Sequence, residues 1–185
     1  MAGATGQSID DFIDGFGGGL RPNRFLVIPT FPSGVTLTNA NAYSFFIRAA
    51  ALPSSDLAVI PIAYRGRTFK MPGARTYTPW QMVVLDDVGG ELWDVYHLWS
   101  SKILKHKSNK IASSGTNMDD FSSLMASHTI KQLDINGTTE KTVVLNKCWP
   151  SEVGPVEFSM ADNENYVTFT VTLEYQYFTT AIGAG

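Results

Sequence analysis

Residues 167–177 alternate between apolar and polar side chains without interruption. Val167, Phe169, Val171, Leu173, Tyr175 and Tyr177 fall on one side of an extended chain, and Thr168, Thr170, Thr172, Glu174 and Gln176 on the other. Successive side chains of a strand point to opposite faces, so this period is that of a half-buried strand. Its eleven residues would span about 36 Å, against the usual five or six residues. A strand of that length crosses a large sheet or reaches beyond its own core. The Thr-rich face is polar yet β-favouring, which suits water or a channel better than a dry interface.

Most of the remaining chain also reads as strands. Residues 1–20 form a glycine-rich arm in which Ile9, Phe12, Ile13 and Phe16 have the spacing of a short amphipathic helix, stopped by Gly17-Gly18-Gly19. Residues 21–185 read as one domain. Phe25 to Ile28 is a short strand, Thr30 to Ala42 a polar excursion, and Tyr43 to Ala51 a strand closed by Leu52-Pro53. Leu57 to Ile62 carries Pro61, which points to an edge or a bulge. Tyr64 to Lys70 alternates, and Pro72-Gly73 reads as a turn. Trp80 to Leu85 is a strand with both faces covered. Asp86-Asp87 then leads into a helix over about 90–106, where Leu92, Tyr96, Trp99 and Ile103 share a face and Lys102, Lys105 and Lys107 suit the negative C-terminal pole. A polar loop follows to residue 121. His128 to Ile135 and Lys141 to Trp149 flank Asn136-Gly137, a type I′ hairpin signal, and Glu152 to Met160 reads as one more strand.

Composition narrows the function classes. A formal charge of -3 gives no global pull toward nucleic acid. A charged content of 17% is low for a folded domain and leaves surface that another subunit can cover. Every arginine lies between Arg21 and Arg75, whereas the chain after Cys148 holds only acidic charges, so faces of opposite potential can meet in an assembly. The single cysteine excludes an intrachain disulfide and a cysteine-rich metal site, and its apolar setting suits an inert buried thiol. With no long apolar run and an acidic N-terminus, the expected protein is soluble, not membrane-inserted, and made in a reducing compartment.

No constellation of residues points to catalysis. His97 and His106, nine residues apart on one helix, would point to nearly opposite sides, and no HExxH is present. Asp86-Asp87 and Asp119-Asp120 are adjacent pairs whose side chains diverge. Asp162 to Glu164 lacks the spacing of a calcium loop, no GxSxG occurs, and the glycines at 15–19 lack the lysine of a phosphate loop. Tyr64-Arg65-Gly66-Arg67-Thr68-Phe69-Lys70 mixes bases with aromatics, as single-strand binders do, and also resembles a flavin-phosphate strand. Bracketed by Pro61 and Pro72, it reads best as an exposed hairpin for packing or subunit contact, with Arg65, Arg67 and Arg75 as candidate contact residues. The expected protein is not an enzyme and carries no cofactor or metal.

The order of features resembles the tail tube proteins of large contractile-tailed bacteriophages. The residues carrying the resemblance are Arg21-Pro22-Asn23-Arg24-Phe25, Ala51-Leu52-Pro53, Ile60-Pro61, Tyr64-Arg65-Gly66-Arg67, and Pro72-Gly73 with Arg75 and Thr76. Trp80, Asp86, Leu145, Trp149-Pro150, Val153-Gly154 and the Val167 to Tyr177 strand complete it. The resemblance implies a mainly β fold, a two-sheet β-sandwich or β-barrel with one flanking α-helix, related to the ring-forming tube proteins of type VI secretion systems. Trp80, Trp99, Trp149, Pro150, Phe169, Leu173 and Tyr175 are then candidate core or fold-defining residues, and Thr168, Thr170, Thr172 and Glu174 candidate wall residues. Tyr43 to Ala51, Glu152 to Met160 and Val167 to Tyr177 are the candidate wall strands.

The implied function is a structural subunit of the inner tail tube in the virion. Homo-hexameric rings would stack helically inside a tail sheath, with tape-measure protein and virion DNA in the lumen and baseplate and terminator proteins at the ends. Synthesis would take place in the host bacterial cytoplasm. The glycine-rich arm and the Thr30 to Ala42 excursion exceed the shorter family pattern and are candidate ring-to-ring or sheath contacts. The alternatives are a tail terminator or tube initiator of the same fold, a secretion-system tube ring and, outside assembly proteins, a ligand-binding β-sandwich module or a flavin-binding β-barrel enzyme.

Overall fold

The computed structural model describes residues 9–17, 19–37, 42–108, 122–160 and 165–182. Most of the expected polar loop, the Asp119-Asp120 pair, the end of the Thr30 to Ala42 excursion and residues 162–164 lie outside them. The described chain runs α1 (Ile9–Phe16), β1 (Phe25–Ile28), a 3₁₀ turn (Ala42–Phe45), β2 (Ile47–Ala50), β3 (Ser55–Tyr64), β4 (Arg67–Tyr77), β5 (Trp80–Leu85), α2 (Glu91–Ile103), β6 (Ala126–Leu133), β7 (Thr139–Val153), β8 (Thr168–Glu174) and β9 (Tyr177–Ile182). One seven-stranded sheet has the order β1-β6-β7-β8-β5-β2, with β9 also paired to β7, while β3 and β4 form a separate two-stranded ribbon.

The long strand is β7, with fifteen residues, and not the final run of alternation. Its first half pairs with β6 and β9, its second half with β8, so it belongs to both layers of the folded sheet. Up to Leu145 the buried residues are odd-numbered (Val143, Leu145), and from Cys148 they are even-numbered (Cys148, Pro150). The switch occurs at Lys147, which is exposed and takes a left-handed conformation with φ 55. An extra residue of this kind bends a strand while keeping apolar side chains inward on both sides of the bend.

The expected Val167 to Tyr177 strand breaks at the same corner. Phe169, Val171, Leu173 and Tyr175 are buried, but Tyr177 is exposed, and Phe178 takes over the inward position. β8 pairs with β5 and β7, and β9 with the other half of β7. Gln176 N–H donates to the Asn146 carbonyl at 3.1 Å across the corner. The perfect period in the sequence therefore spans two strands in two layers. Two other expected wall strands also change. Tyr43 to Ala51 holds the 3₁₀ turn and only four strand residues, and the ladder stops at Val153, leaving most of Glu152 to Met160 without one.

Each layer contributes one face to a common core. Val27, Ile130, Val143 and Leu145 come from one side, and Met82, Val84, Phe169, Val171 and Leu173 from the other. α2 lies against β7 and inserts Leu92, Val95, Tyr96 and Trp99. The helix ends at Ile103, earlier than the charge pattern suggested, and Lys102 donates to the Ser33 and Gly34 carbonyls. At its start, the Asp87 carboxylate accepts the Glu91 N–H at 2.9 Å, satisfying one of the free donors of the first turn. Phe31 packs edge-on to Tyr96 and Trp99, with centroids 5.2 and 5.6 Å away. The Trp99 indole donates to the Leu124 carbonyl at 2.7 Å.

Turn chemistry differs from expectation at two places. β6 and β7 are joined by a five-residue loop, Asp134–Thr138, whose Asp134 carboxylate accepts the N–H groups of Asn136 and Thr138. Asn136 is not left-handed, so the two-residue type I′ turn does not form. Between β3 and β4 the turn is at Arg65-Gly66, both left-handed (φ 45 and 79), as a type I′ turn requires. Pro72, expected in a turn, sits within β4 opposite Val59.

Burial also sets two ionisation states. It pushes the Cys148 thiol up to about 12, so the thiol stays protonated. It pushes His128 down to about 3 from 6.5, which keeps the ring neutral beside the Tyr96 hydroxyl at 3.3 Å.

The unfolded chain therefore takes up a proton on His128 below pH ~6.5 that the folded chain refuses until about pH 3. Folding stability is expected to fall with decreasing pH across that window, by up to about 1.4 kcal/mol per pH unit from this group. Urea unfolding of the wild type and His128→Gln between about pH 4 and pH 7 measures it; equal slopes for the two proteins contradict it. Separately, a Cβ on Gly154 would press into the Thr170 side chain and lie 3.0 Å from the Thr170 carbonyl oxygen. Gly154→Ala is expected to lower stability by about 1–3 kcal/mol in the same assay, whereas an unchanged midpoint contradicts that packing.

Candidate subunit interfaces

The β3–β4 ribbon is fully paired from Ser55↔Tyr77 to Tyr64↔Arg67, with one bulge between Leu57 and Val59. Cross-strand partners lie on one face. Ile60↔Met71 and Ile62↔Phe69 therefore combine with Tyr64 into a broad apolar surface. Ile62 is 43% exposed and Phe69 63%, and nearly every residue of the ribbon is exposed. An isolated two-stranded ribbon is marginal in water. This one is held at its root, where Tyr77, Tyr175 and Phe178 pack with centroids 5.6 to 6.4 Å apart and the Tyr175 hydroxyl donates to the Ser54 carbonyl at 3.1 Å. The Trp80 indole, donating to the Ala51 carbonyl at 2.5 Å, secures the adjoining segment.

The candidate contact arginines all lie on this ribbon. Arg65 is at the tip with its guanidinium carbon 5.4 Å from the Tyr64 ring centroid. Arg67 is directly opposite Tyr64, and Arg75 is near the root, donating to the Ser55 hydroxyl at 3.2 Å. The tip is thus basic and aromatic, while the shaft is apolar. Pro61 and Pro72, one on each strand, remove backbone donors and discourage open-ended strand addition. The ribbon is equipped to be used through its face and tip.

Thr168, Thr170, Thr172 and Glu174 form the outward row of β8 and are half-buried. Their partners on β5 and β7 are Leu85, Val83, Gln81, Glu152 and Trp149, so the face mixes hydroxyls with apolar flanks. Trp80, Trp99, Pro150, Phe169, Leu173 and Tyr175 are buried, and Trp149 is half-buried against the core. The apolar stripe of α1 is uncovered: Ile9, Phe12, Ile13 and Phe16 are exposed, although Phe12 and Phe16 stack at 5.5 Å.

The histidine geometry departs from the helical projection. Because α2 ends at Ile103, His106 lies beyond it, and both histidines line one shallow depression with Asp94. Burial and the neighbouring His106 lower the His97 pKa. Among the described residues no group of three or more His, Cys, Asp or Glu is placed to hold a metal ion.

A family model for phage tail tube proteins matches residues 20–181. The chain belongs to the phage tail tube protein family. It is 26% identical to tail tube protein gp19 of Enterobacteria phage T4, over 91% of this chain and 98% of that protein. Its fold is similar to that of the anti-feeding prophage tube-terminating cap, with a TM-score of 0.62, 16% identity and coverage of 89% and 91% of the two chains. It is also similar to a chain of the sheath-tube complex of the PVC extracellular contractile injection system, with a TM-score of 0.54, 15% identity and coverage of 95% and 99%.

As a tail tube protein, the chain is a structural component of a phage tail. The arginines of the ribbon stand out in the sequence, and its apolar face does not. The signal was present in the alternation of Ile60, Ile62 and Tyr64 across Pro61, which the proline obscured. A second surface carries no signal in the sequence: an open groove of about 720 Å³ between the start of α2 and the segment after β7, lined by Trp93, Val156, Phe158 and Val167 among others. Its residues are dispersed in sequence and meet only through the fold.

Ile62→Asp removes an apolar group that is already exposed in the free tail tube subunit. The subunit's unfolding free energy is expected to change by only about 0.5 kcal/mol, while assembly into high-mass particles is lost. Denaturant unfolding together with sedimentation checks both halves. Normal assembly of the variant contradicts an interface role for the ribbon face.

Proposed function

We propose that the chain closes into hexameric rings that stack helically as the inner tube of a contractile phage tail, without catalytic activity or a cofactor. The observation that supports this most directly is the paired ribbon with an apolar face and no cover in the single subunit. An exposed apolar surface of this kind marks a place where another molecule docks. The free ladder edges of β1, β2 and β9 offer further places for lateral pairing between copies. Residues 1–20 act as an arm on a single domain formed by residues 21–185, and the α1 stripe supplies an additional subunit contact.

The outward row Thr168, Thr170, Thr172 and Glu174 is assigned to the tube wall, with Glu152 on the same face. Its polar side chains lack strong attraction for a polyanion, and the acidic pair would disfavour sticking. The lumen would conduct tape-measure protein during assembly and virion DNA during ejection. Sheath subunits would surround the tube, with baseplate and terminator proteins at its ends. Synthesis is assigned to the host cytoplasm before incorporation into the virion tail.

Negative-stain microscopy of the purified protein is expected to show open tubes or six-fold rings that stack. A strictly monomeric protein with a defined small ligand contradicts the proposal, and rings that never stack favour a terminator. In cryo-electron maps of the tubes, the Thr168–Glu174 row is expected on a bore of neutral or negative potential. A net basic bore contradicts that wall assignment.

A further inference from the structure

The Asn136-Gly137 pair between β6 and β7 does not make the tight turn its sequence suggests, but it carries a chemistry of its own. In an Asn-Gly pair the glycine nitrogen can add to the side-chain amide carbon, expel ammonia and close a succinimide ring. Glycine permits this because no side chain hinders the approach. Both residues are exposed, and nothing lies within 4 Å of the position a Cβ would take on Gly137. Water and space for ring closure are therefore at hand.

One residue holds the pair in place. The Asp134 carboxylate accepts the main-chain N–H of Asn136 at 2.6 Å and of Thr138 at 2.9 Å, and its second oxygen accepts the Asn136 side-chain amide at 3.3 Å. The Gly137 N–H donates to the Asp134 carbonyl at 3.4 Å, and the Asp134 N–H to the Thr138 carbonyl at 2.9 Å. These bonds, that from Thr138 foremost, hold the Asp134 carboxyl below the usual carboxylate range, so it is ionised near neutral pH. Both reacting groups are thus engaged: the amide nitrogen that must leave is tethered, and the Gly137 N–H that must lose its proton is occupied.

We propose that Asn136 is a deamidation site and that Asp134 sets its rate, protecting the pair while the loop is closed. The step needs no oxidant or cofactor. The bond from the Gly137 nitrogen to Asn136 Cγ forms as the Cγ–Nδ2 bond breaks, and the Gly137 proton departs through solvent to balance the ammonia released. Water then opens the ring at Cγ to give aspartate, or at the main-chain carbonyl carbon to give isoaspartate. Either product adds a negative charge between Asp134 and Glu140, which line a groove with Arg21 and Arg24. Loss of ammonia makes the change irreversible, so the modified fraction records the time the loop has spent open.

Mass spectrometry of the tryptic peptide 132–141 tests this, with isoaspartyl methyltransferase labelling to detect isoaspartate. Full-length wild type and Asp134→Ala are incubated in mildly alkaline buffer, and wild type in guanidinium chloride supplies the rate of the open pair. Folded wild type is expected to react about tenfold more slowly than the unfolded chain, and Asp134→Ala, folded by circular dichroism, at close to the unfolded rate. Asp134→Asn keeps an acceptor oxygen, is expected to fall between the two, and carries the comparison where Asp134→Ala fails to fold. An unfolded chain that leaves Asn136 unmodified overturns the site. Folded wild type as fast as the unfolded chain, or variants as slow as folded wild type, overturn the role of Asp134.

Discussion

The fold depends on a corner in which two neighbouring strands change which parity of residue faces inward. On β7 the change is made at Lys147, in a left-handed conformation, and on the adjoining chain at Tyr175-Gln176. Without these steps, either Cys148 and Pro150 or Val143 and Leu145 would turn to solvent, since a one-residue slip exchanges the two faces of a strand. With both steps side by side, a single sheet wraps around one core. Tyr175, at the corner between β8 and β9, and Phe178, on β9, become the anchor for Tyr77. The corner thus closes the domain and fixes the ribbon to it.

Division of labour follows from that anchoring. The body buries its aromatic and aliphatic side chains between the layers and α2, while the ribbon buries almost nothing beyond its root. Rigid pairing still gives the ribbon a defined shape, because nine residue pairs constrain it before any partner arrives. A preorganised projection loses less conformational freedom on docking than a disordered loop of the same length. That property suits a subunit that must meet many identical neighbours in one geometry.

Local chemistry made some of this legible in the sequence. The helical face Leu92, Tyr96 and Trp99, the Trp80–Leu85 strand and the inward row Phe169, Val171 and Leu173 each follow a period that needs no distant information. The corner did not show, because Val167 to Tyr177 keeps its alternation through the place where the chain changes layers. Tyr177 is exposed although its pattern marks it as inward, and only the pairing of Asn146 with Tyr177 reveals why. Helical projection failed for His106 for a related reason: the helix had ended before the residue being projected. The groove was invisible because Trp93, Phe158 and Val167 are brought together by strand order rather than by spacing.

Rigidity in the body and exposure at its two ends are linked through β5. That strand buries Trp80, Met82 and Val84 in the common core, follows the ribbon through Thr78-Pro79, and delivers Asp86 and Asp87 at its other end. Burial raises the Asp86 pKa, and the Asp87 carboxylate also tends the first turn of α2, so the acidic rim belongs to the same framework as the helix. The root of the ribbon and the acidic rim are thereby attached to the two ends of one buried strand.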